Sequence, residues 1–298
     1  MRHTYHLHPS FLDAPINVIV IGCGGTGCEV VDALARIDLS IRALGHPAGL
    51  RVTLADGDTV SASNIGRQRF APSDIGKNKA TVLAARYNLA FGLEWADHPF
   101  YMTPKNIGAA LPSHYRSLRP VVVITCVDRA SVRVAIGKHF TSRAKEAHPQ
   151  QLSSLWLDFG NGASTGQAIL GHLFSWSTQD DELRLPNVHN LYPHMNLIDD
   201  DAEPSCSLAE ALRHQELGIN RMVVDAGMFS LLMPLLTKGH LKAHGVMVDM
   251  LAGRTSPLLI DTDAWDFMRG APKPRKRRAS QKDKKPAAPP AESLIAAA

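Results

Sequence analysis

A short apolar run that breaks into glycines constrains this chain most. Residues 17–28 read NVIVIGCGGTGC. The Val and Ile run up to Ile21 fits a strand buried on both faces. Glu29–Ile37 then carries apolar residues at helical spacing. Strand, glycine loop and helix in that order suit a phosphate held at a helix N-terminus. Gly22 permits the tight turn, Gly24 and Gly25 admit close backbone approach, and Gly27 lets the helix pack on the sheet. By itself the G-x-G-x-x-G pattern is common to many dinucleotide sites.

The same alternation continues. Arg51–Ala55, Pro120–Cys126 and Ser154–Phe159 read as strands, and Lys77–Asn88 and Ala130–Phe140 as helices. That pattern predicts an α/β fold with a mainly parallel, Rossmann-like sheet. After Gly162 the pattern turns mixed. GQAILGHLF and Gly245–Leu251 read as strands, Ser207–Gln215 and Arg221–Leu236 as helices, and Asn187–Pro204 as a loop. The expected organisation is an N-terminal arm over 1–15, a body over 16–270 and a low-complexity tail over 271–298. The tail holds eight Lys/Arg and two Asp/Glu, so the rest of the 298-residue chain is close to neutral despite a net charge of +4. The tail can contact nucleic acid or an acidic partner, or stay a solvated extension. No run of about 18 apolar residues occurs, so no membrane span is expected. The N-terminus has no apolar signal run. Four cysteines, at 23, 28, 126 and 206, lack scaffold spacing and point to a reducing, cytoplasmic setting.

Two further motifs sharpen the reading. Asp56 ends the second strand, where a carboxylate can accept both hydroxyls of a ribose, but it lies 29 residues after Gly27. A NAD site places that acid about 20 residues on. Asp58 follows two residues later and either joins the site or shapes the turn. Next come Ser63-Asn64-Ile65-Gly66-Arg67-Gln68 and Asp74-Ile75-Gly76-Lys77-Asn78-Lys79. Arg67 can grip a phosphate bidentately, Lys79 supplies a point charge, and Asn64 and Gln68 add neutral donors. A triphosphate needs such donors more than a pyrophosphate diester does.

The ordered run IGCGGTGCEV, LADGDTVSASNIGRQ, DIGKNKA resembles the ThiF/MoeB/HesA superfamily, the fold of ubiquitin-activating enzymes, over roughly residues 16–230. Cys206 through Asn220 is similar to ThiF-like proteins of PRTRC mobile-element cassettes. The resemblance implies ATP-dependent adenylation of the C-terminal carboxylate of a small ubiquitin-like or sulfur-carrier protein, and a homodimer. It makes Asp56 the ribose acid, and Asn64, Arg67 and Lys79 phosphate contacts, with Gln68 in the same motif. Asp128 stands where the family has a magnesium-linked aspartate; a helix N-cap is its bland alternative. The family usually has Asn at the next position, where this chain has Arg129, whereas Arg133 matches a later family arginine. No paired C-x-x-C occurs, so a four-cysteine zinc site is not expected. Arg2, the one arginine before the glycine loop, is the candidate for the family's N-terminal arginine finger.

Cys206 is the candidate thioester nucleophile. It follows an acidic loop and opens an expected helix, whose N-terminus favours a thiolate, and its Pro-x-Cys-Ser context is similar to that of activating enzymes. A capping neighbour with packing duties is the alternative. Cys23, Cys28 and Cys126 read as packing residues. His3, His6 and His8 alternate on what reads as an exposed arm. Two rival functions stay open: a NAD-dependent oxidoreductase, and a non-catalytic adaptor that binds a ubiquitin-like partner.

Overall fold

The computed structural model describes residues 2–103, 106, 119–174, 183–195 and 215–270. β2 (Ile16–Ile21), β3 (Leu50–Ala55), β4 (Ala96–His98), β5 (Val121–Thr125) and β6 (Leu155–Asn161) run parallel. Helix α1 (Gly25–Ala43) joins β2 to β3, α2 (Lys79–Phe91) joins β3 to β4, and α3 (Ala130–Arg143) joins β5 to β6. β7 (Thr165–His172), β9 (Ala243–Asp249) and β10 (Arg254–Leu259) extend the sheet antiparallel from β6. The spatial order is β10-β9-β7-β6-β5-β2-β3-β4. Val and Ile bury both faces of β2 and β5, as a sheet covered by helices requires.

This order creates the site. The chain leaves β2 for β3 and β4 on one side, then returns to β5 on the other. Ile21 lies opposite both Ala55 and Thr125, and Thr125 lies opposite Asp158. The strands therefore end level at a reversal point, where a crevice opens beyond their carboxyl ends.

Several elements differ from the sequence reading. α1 starts at Gly25, inside the glycine loop, and runs to Ala43, beyond the Glu29–Ile37 helix read from the sequence at both ends. β10 was not expected from the sequence; it is an edge strand, which tolerates Pro257. A short helix, α4 (Val188–Leu191), interrupts the expected loop. The N-terminal segment is not an exposed arm. β1 (Tyr5–His6) pairs with β8 (His240–Leu241), and Tyr5, Leu7 and Phe11 are buried. Helix α5 (Ile219–Lys238) is long and apolar enough, by length and composition, to cross a membrane, which the apolar-run count had missed. Here it packs on α1, β6, β7 and β9. It widens to a π turn at Met228–Leu232, just before Pro234, which has no N–H for the helical ladder. The last described helix is α6 (Thr262–Met268).

Candidate nucleotide site

The crevice is a cavity of about 1720 Å³. Gly22, Gly24, Gly25, Asp56, Asp58, Asn64, Arg67, Gln68, Lys79 and Asp128 all line it. Three sequence motifs, from the ends of β2, β3 and β5, thus meet in one place.

The glycine loop is built tightly. Gly22 has φ +94°, and a Cβ there would come within 2.7 Å of the Cys126 carbonyl oxygen. A Cβ on Gly27, which does not line the cavity, would collide with the Gly22 carbonyl. Gly27 is therefore what lets α1 start directly beneath the loop. A Cβ on Gly25 would meet the Asn220 side-chain nitrogen at 2.6 Å, whereas one on Gly24 would meet nothing within 4 Å. Gly24 is the α1 N-cap and has no side chain to cap with. The first turn keeps its amides facing the cavity end of the helix, the arrangement that holds anions.

Asp56 braces this loop. One carboxylate oxygen accepts the Cys23 amide at 2.5 Å and the other the Asp58 amide at 2.7 Å. Burial raises its pKa against the pull of these amides and Lys79. Each oxygen keeps one lone pair for a ligand hydroxyl. Asp56 thus shapes the turn itself, the task the sequence reading offered to Asp58. Asp58 instead takes Lys79 Nζ at 2.9 Å and the Tyr101 hydroxyl. Burial alone would raise the Asp58 carboxyl, but hydrogen bonds from Tyr101 and Lys79 outweigh it, followed by the Lys79 and Arg129 charges. Lys79 is therefore not the free point charge the sequence implied. Tyr101 packs where a Cβ on Gly57 would be.

The cationic loop is positioned from both sides. Asn78 caps α2 and donates to the Asp56 and Asp58 carbonyls at 2.8 and 3.1 Å, which fixes Lys79 at the turn. Arg69 grips Glu29 of α1 with two bonds of 3.0 and 2.7 Å. Arg86 of α2 donates to the Arg69 carbonyl and pairs with Asp74 at 2.5 Å. Held this way, Arg67 reaches the cavity with one bond, Nε to the Ser63 carbonyl at 3.3 Å. The Asn64 oxygen accepts the Ser61 amide at 2.9 Å. The Gln68 side-chain oxygen is buried without a partner among the described residues.

Asp128 is exposed to the cavity, with no hydrogen bond or ion pair among the described residues. It is not the helix cap: the α3 N-cap is Arg129. A bare carboxylate in the same cavity as Arg67 and Lys79 has the chemistry of a magnesium ligand. Arg133 lies deeper, bonded to Asp158 at 2.8 Å and to the Phe159 carbonyl at 2.7 Å.

Sequence reading missed three parts of the lining. Asp158 is 1% exposed, accepts Thr125 Oγ1 at 2.5 Å and keeps one oxygen without a partner among the described residues. Asn161 and Asn220 bond each other at 2.7 Å, and Thr26 donates towards both. Tyr192 donates to Gln167 at 2.7 Å. A polar residue within an apolar strand, as in Leu157-Asp158-Phe159, was the available signal for the first. Cys206 lies outside the described residues. Arg2 is not among the lining residues; it bridges Asp261. Cys23, Cys28 and Cys126 have thiols raised by burial, Cys28 to about 12, so they are poor nucleophiles.

Residues 14–152 match the ThiF family model. These residues form a ThiF-family domain. Relatives match parts of the chain: mouse ubiquitin-like modifier-activating enzyme 7 is 40% identical over 68 residues, 22% of this chain and 6% of that protein. The Caenorhabditis elegans NEDD8-activating enzyme E1 catalytic subunit is 38% identical over 94 residues, 28% of this chain and 19% of that protein. The chain therefore spans a small part of these relatives' length. The structure of E. coli MccB with ATP matches 82% of this chain and 63% of that chain, with TM-score 0.51 and 14% identity. At that identity the likeness is one of fold alone, and at 82% of the chain it extends beyond the stretch that the family model matches. The tie to PRTRC proteins rests mostly on residues outside the described set.

Proposed function

We propose that this protein binds Mg-ATP and adenylates the C-terminal carboxylate of a small ubiquitin-like or sulfur-carrier protein. One observation carries the reading: the glycine loop, Asp56, Arg67, Lys79 and Asp128 line a single cavity at the reversal point of the sheet. The ThiF domain and the fold shared with an ATP-bound protein support it, and both speak against the redox-coenzyme rival.

In this reading Asp56 anchors the ribose and the amides opening α1 face phosphate. A substrate carboxylate oxygen attacks the α-phosphorus in line. The new O–P bond forms as the bond to the bridging oxygen breaks, and pyrophosphate leaves with the electron pair. Arg67 and Lys79 hold the charge that gathers on the departing phosphates. Lys79 exchanges part of its Asp58 contact for phosphate. Asp128 would hold magnesium, which supplies charge neutralisation when bound. Cys206 would then accept the acyl group as a thioester, releasing AMP. A homodimer and a cytoplasmic setting belong to the same proposal.

The test is ATP–pyrophosphate exchange with candidate small proteins bearing a free C-terminus. Exchange that needs the carrier and drops at least 100-fold in Asp128→Ala supports the reading. Hydride transfer to a nicotinamide without exchange defeats it. Carrier binding without exchange in the unmodified protein makes it an adaptor.

A further inference from the structure

The cavity's charges do not all belong to the same account. Among the described residues four carboxylates line it, Asp56, Asp58, Asp128 and Asp158, and four cations, Arg67, Lys79, Arg129 and Arg133. Two cations are taken: Lys79 by Asp58 at 2.9 Å and Arg133 by Asp158 at 2.8 Å. Arg67 and Arg129 have no carboxylate partner among the described residues. Arg67 bonds a backbone carbonyl, and Arg129 is exposed and makes no side-chain cap on its own helix.

Their placement is as informative as their freedom. Arg67 follows β3 and Arg129 follows β5, while the glycine loop follows β2, which lies between those strands. An anion seated on the loop is therefore flanked by one unpaired guanidinium on each side. Arg129 also sits at the N-cap of the 14-residue helix α3, where the helix dipole adds to its charge. Its charge also acts to lower Asp58 and Tyr101, which line the same cavity.

We propose that Arg129 is a catalytic residue of this site, a second arginine that grips the nucleoside triphosphate opposite Arg67. The inference rests on the adenylation reading and names a contact for it. When the bond from the α-phosphorus to its bridging oxygen breaks, negative charge grows on the pyrophosphate. A guanidinium already at the cavity wall stabilises that charge more than it stabilises the bound ground state. Arg67 and Arg129 together supply what the Asp58-bound Lys79 supplies in part. Arginine suits the task because its planar fork bonds two phosphate oxygens at once.

Arg129 is exposed, so its removal leaves the fold intact, and thermal melts of the variants check this. Calorimetric binding of α,β-methylene-ATP and of AMP is measured on the full chain with magnesium, beside pyrophosphate exchange with a carrier. In Arg129→Ala the triphosphate analogue is expected to weaken about 10-fold or more, with AMP binding unchanged. Exchange is expected to fall on the order of 100-fold. Arg129→Lys is expected to recover part of the affinity and less of the rate. Wild-type-like analogue binding and exchange in Arg129→Ala overturn the Arg129 assignment and leave the adenylation reading standing. An equal loss of AMP and analogue also overturns it, since it shows a general disturbance of the pocket. Unmodified protein that binds neither nucleotide overturns both.

Discussion

At the scale of single residues, Gly24 and Gly27 separate two reasons for the same amino acid. A Cβ on Gly27 collides with the backbone oxygen of Gly22, which has no flexible end to swing away. Gly27→Ala is expected to push α1 off the sheet and lower stability by about 2–4 kcal/mol, read from urea unfolding. A Cβ on Gly24 meets nothing within 4 Å, yet Gly24 lines the cavity. Gly24→Ala is expected to leave the urea midpoint within about 0.5 kcal/mol of wild type while nucleotide affinity falls at least 10-fold. If Gly24→Ala binds nucleotide normally, the glycine loop is a packing device and not a phosphate cradle. The spacing of these glycines was readable because the strand, turn and helix are consecutive in the chain. The neighbour of Gly25 was not, because Asn220 comes from another element 195 positions later. Asp158 was hidden for the same reason, and Arg133, matched only to a family arginine, gave no sign of its partner. A buried pair is visible only once β6 and α3 are packed, and either residue alone reads as a polar interruption.

At the scale of elements, the parallel strands were legible and the pieces that seal the sheet were not. β2 and β5 announce themselves by runs of Val and Ile, and β6 by an apolar run that Asp158 interrupts, because both of their faces are covered. β1 is two residues long and its partner β8 lies more than 230 positions away, so no local pattern specifies the pairing. Yet a signal existed: Tyr5 and Leu7 alternate with His6 and His8, the period-two pattern of a half-buried strand. The histidines suggested an exposed arm, whereas the apolar members Tyr5 and Leu7 are buried and carry the structure. Phe11 is 1% exposed, its backbone carbonyl bonds His46, and the Leu7 amide reaches the Gly239 carbonyl. Phe11→Ala is therefore expected to cost about 3–5 kcal/mol, whereas His6→Ala, on the exposed face, is expected to cost less than about 0.5 kcal/mol. Urea midpoints of the two variants compare them directly. Equal, small effects would show the segment to be the loose arm its composition suggests.

At the scale of the whole molecule, the nucleotide loop depends on the antiparallel half beyond the ThiF domain. Thr26 of the loop donates towards Asn161 and Asn220, and Asn220 packs on Gly25, so the half that holds α5 sets where the loop sits. That half buries two histidines in neutral form. His172 accepts the Leu185 amide at 3.0 Å and is lowered to about 3 by burial, with the Arg184 charge second. His244 donates Nδ1–H to the Leu170 carbonyl and accepts Trp265 Nε1–H at 2.7 Å, and burial lowers it to about 4. A second proton on His244 would face the Trp265 N–H, a donor against a donor. Both folded pKa values lie below the unfolded value near 6.5, so between them the unfolded chain binds more protons than the folded one. The sign follows: stability is full above about pH 6.5 and declines as pH falls towards 4. Each histidine contributes a slope of up to about 1.4 kcal/mol per pH unit in that window. Asp56, raised by burial, works in the opposite sense, but as one group against two. Urea unfolding at pH 7.5, 6.5, 5.5 and 5.0 is expected to show a plateau and then a fall, with a shallower fall in the paired His172→Gln, His244→Gln variant. A flat profile in the unmodified protein would mean that these imidazoles are solvated. Because Asn220 holds Gly25, nucleotide binding is expected to fade along the same limb, ahead of any titration of Asp58, which its partners keep below the ordinary carboxylate range.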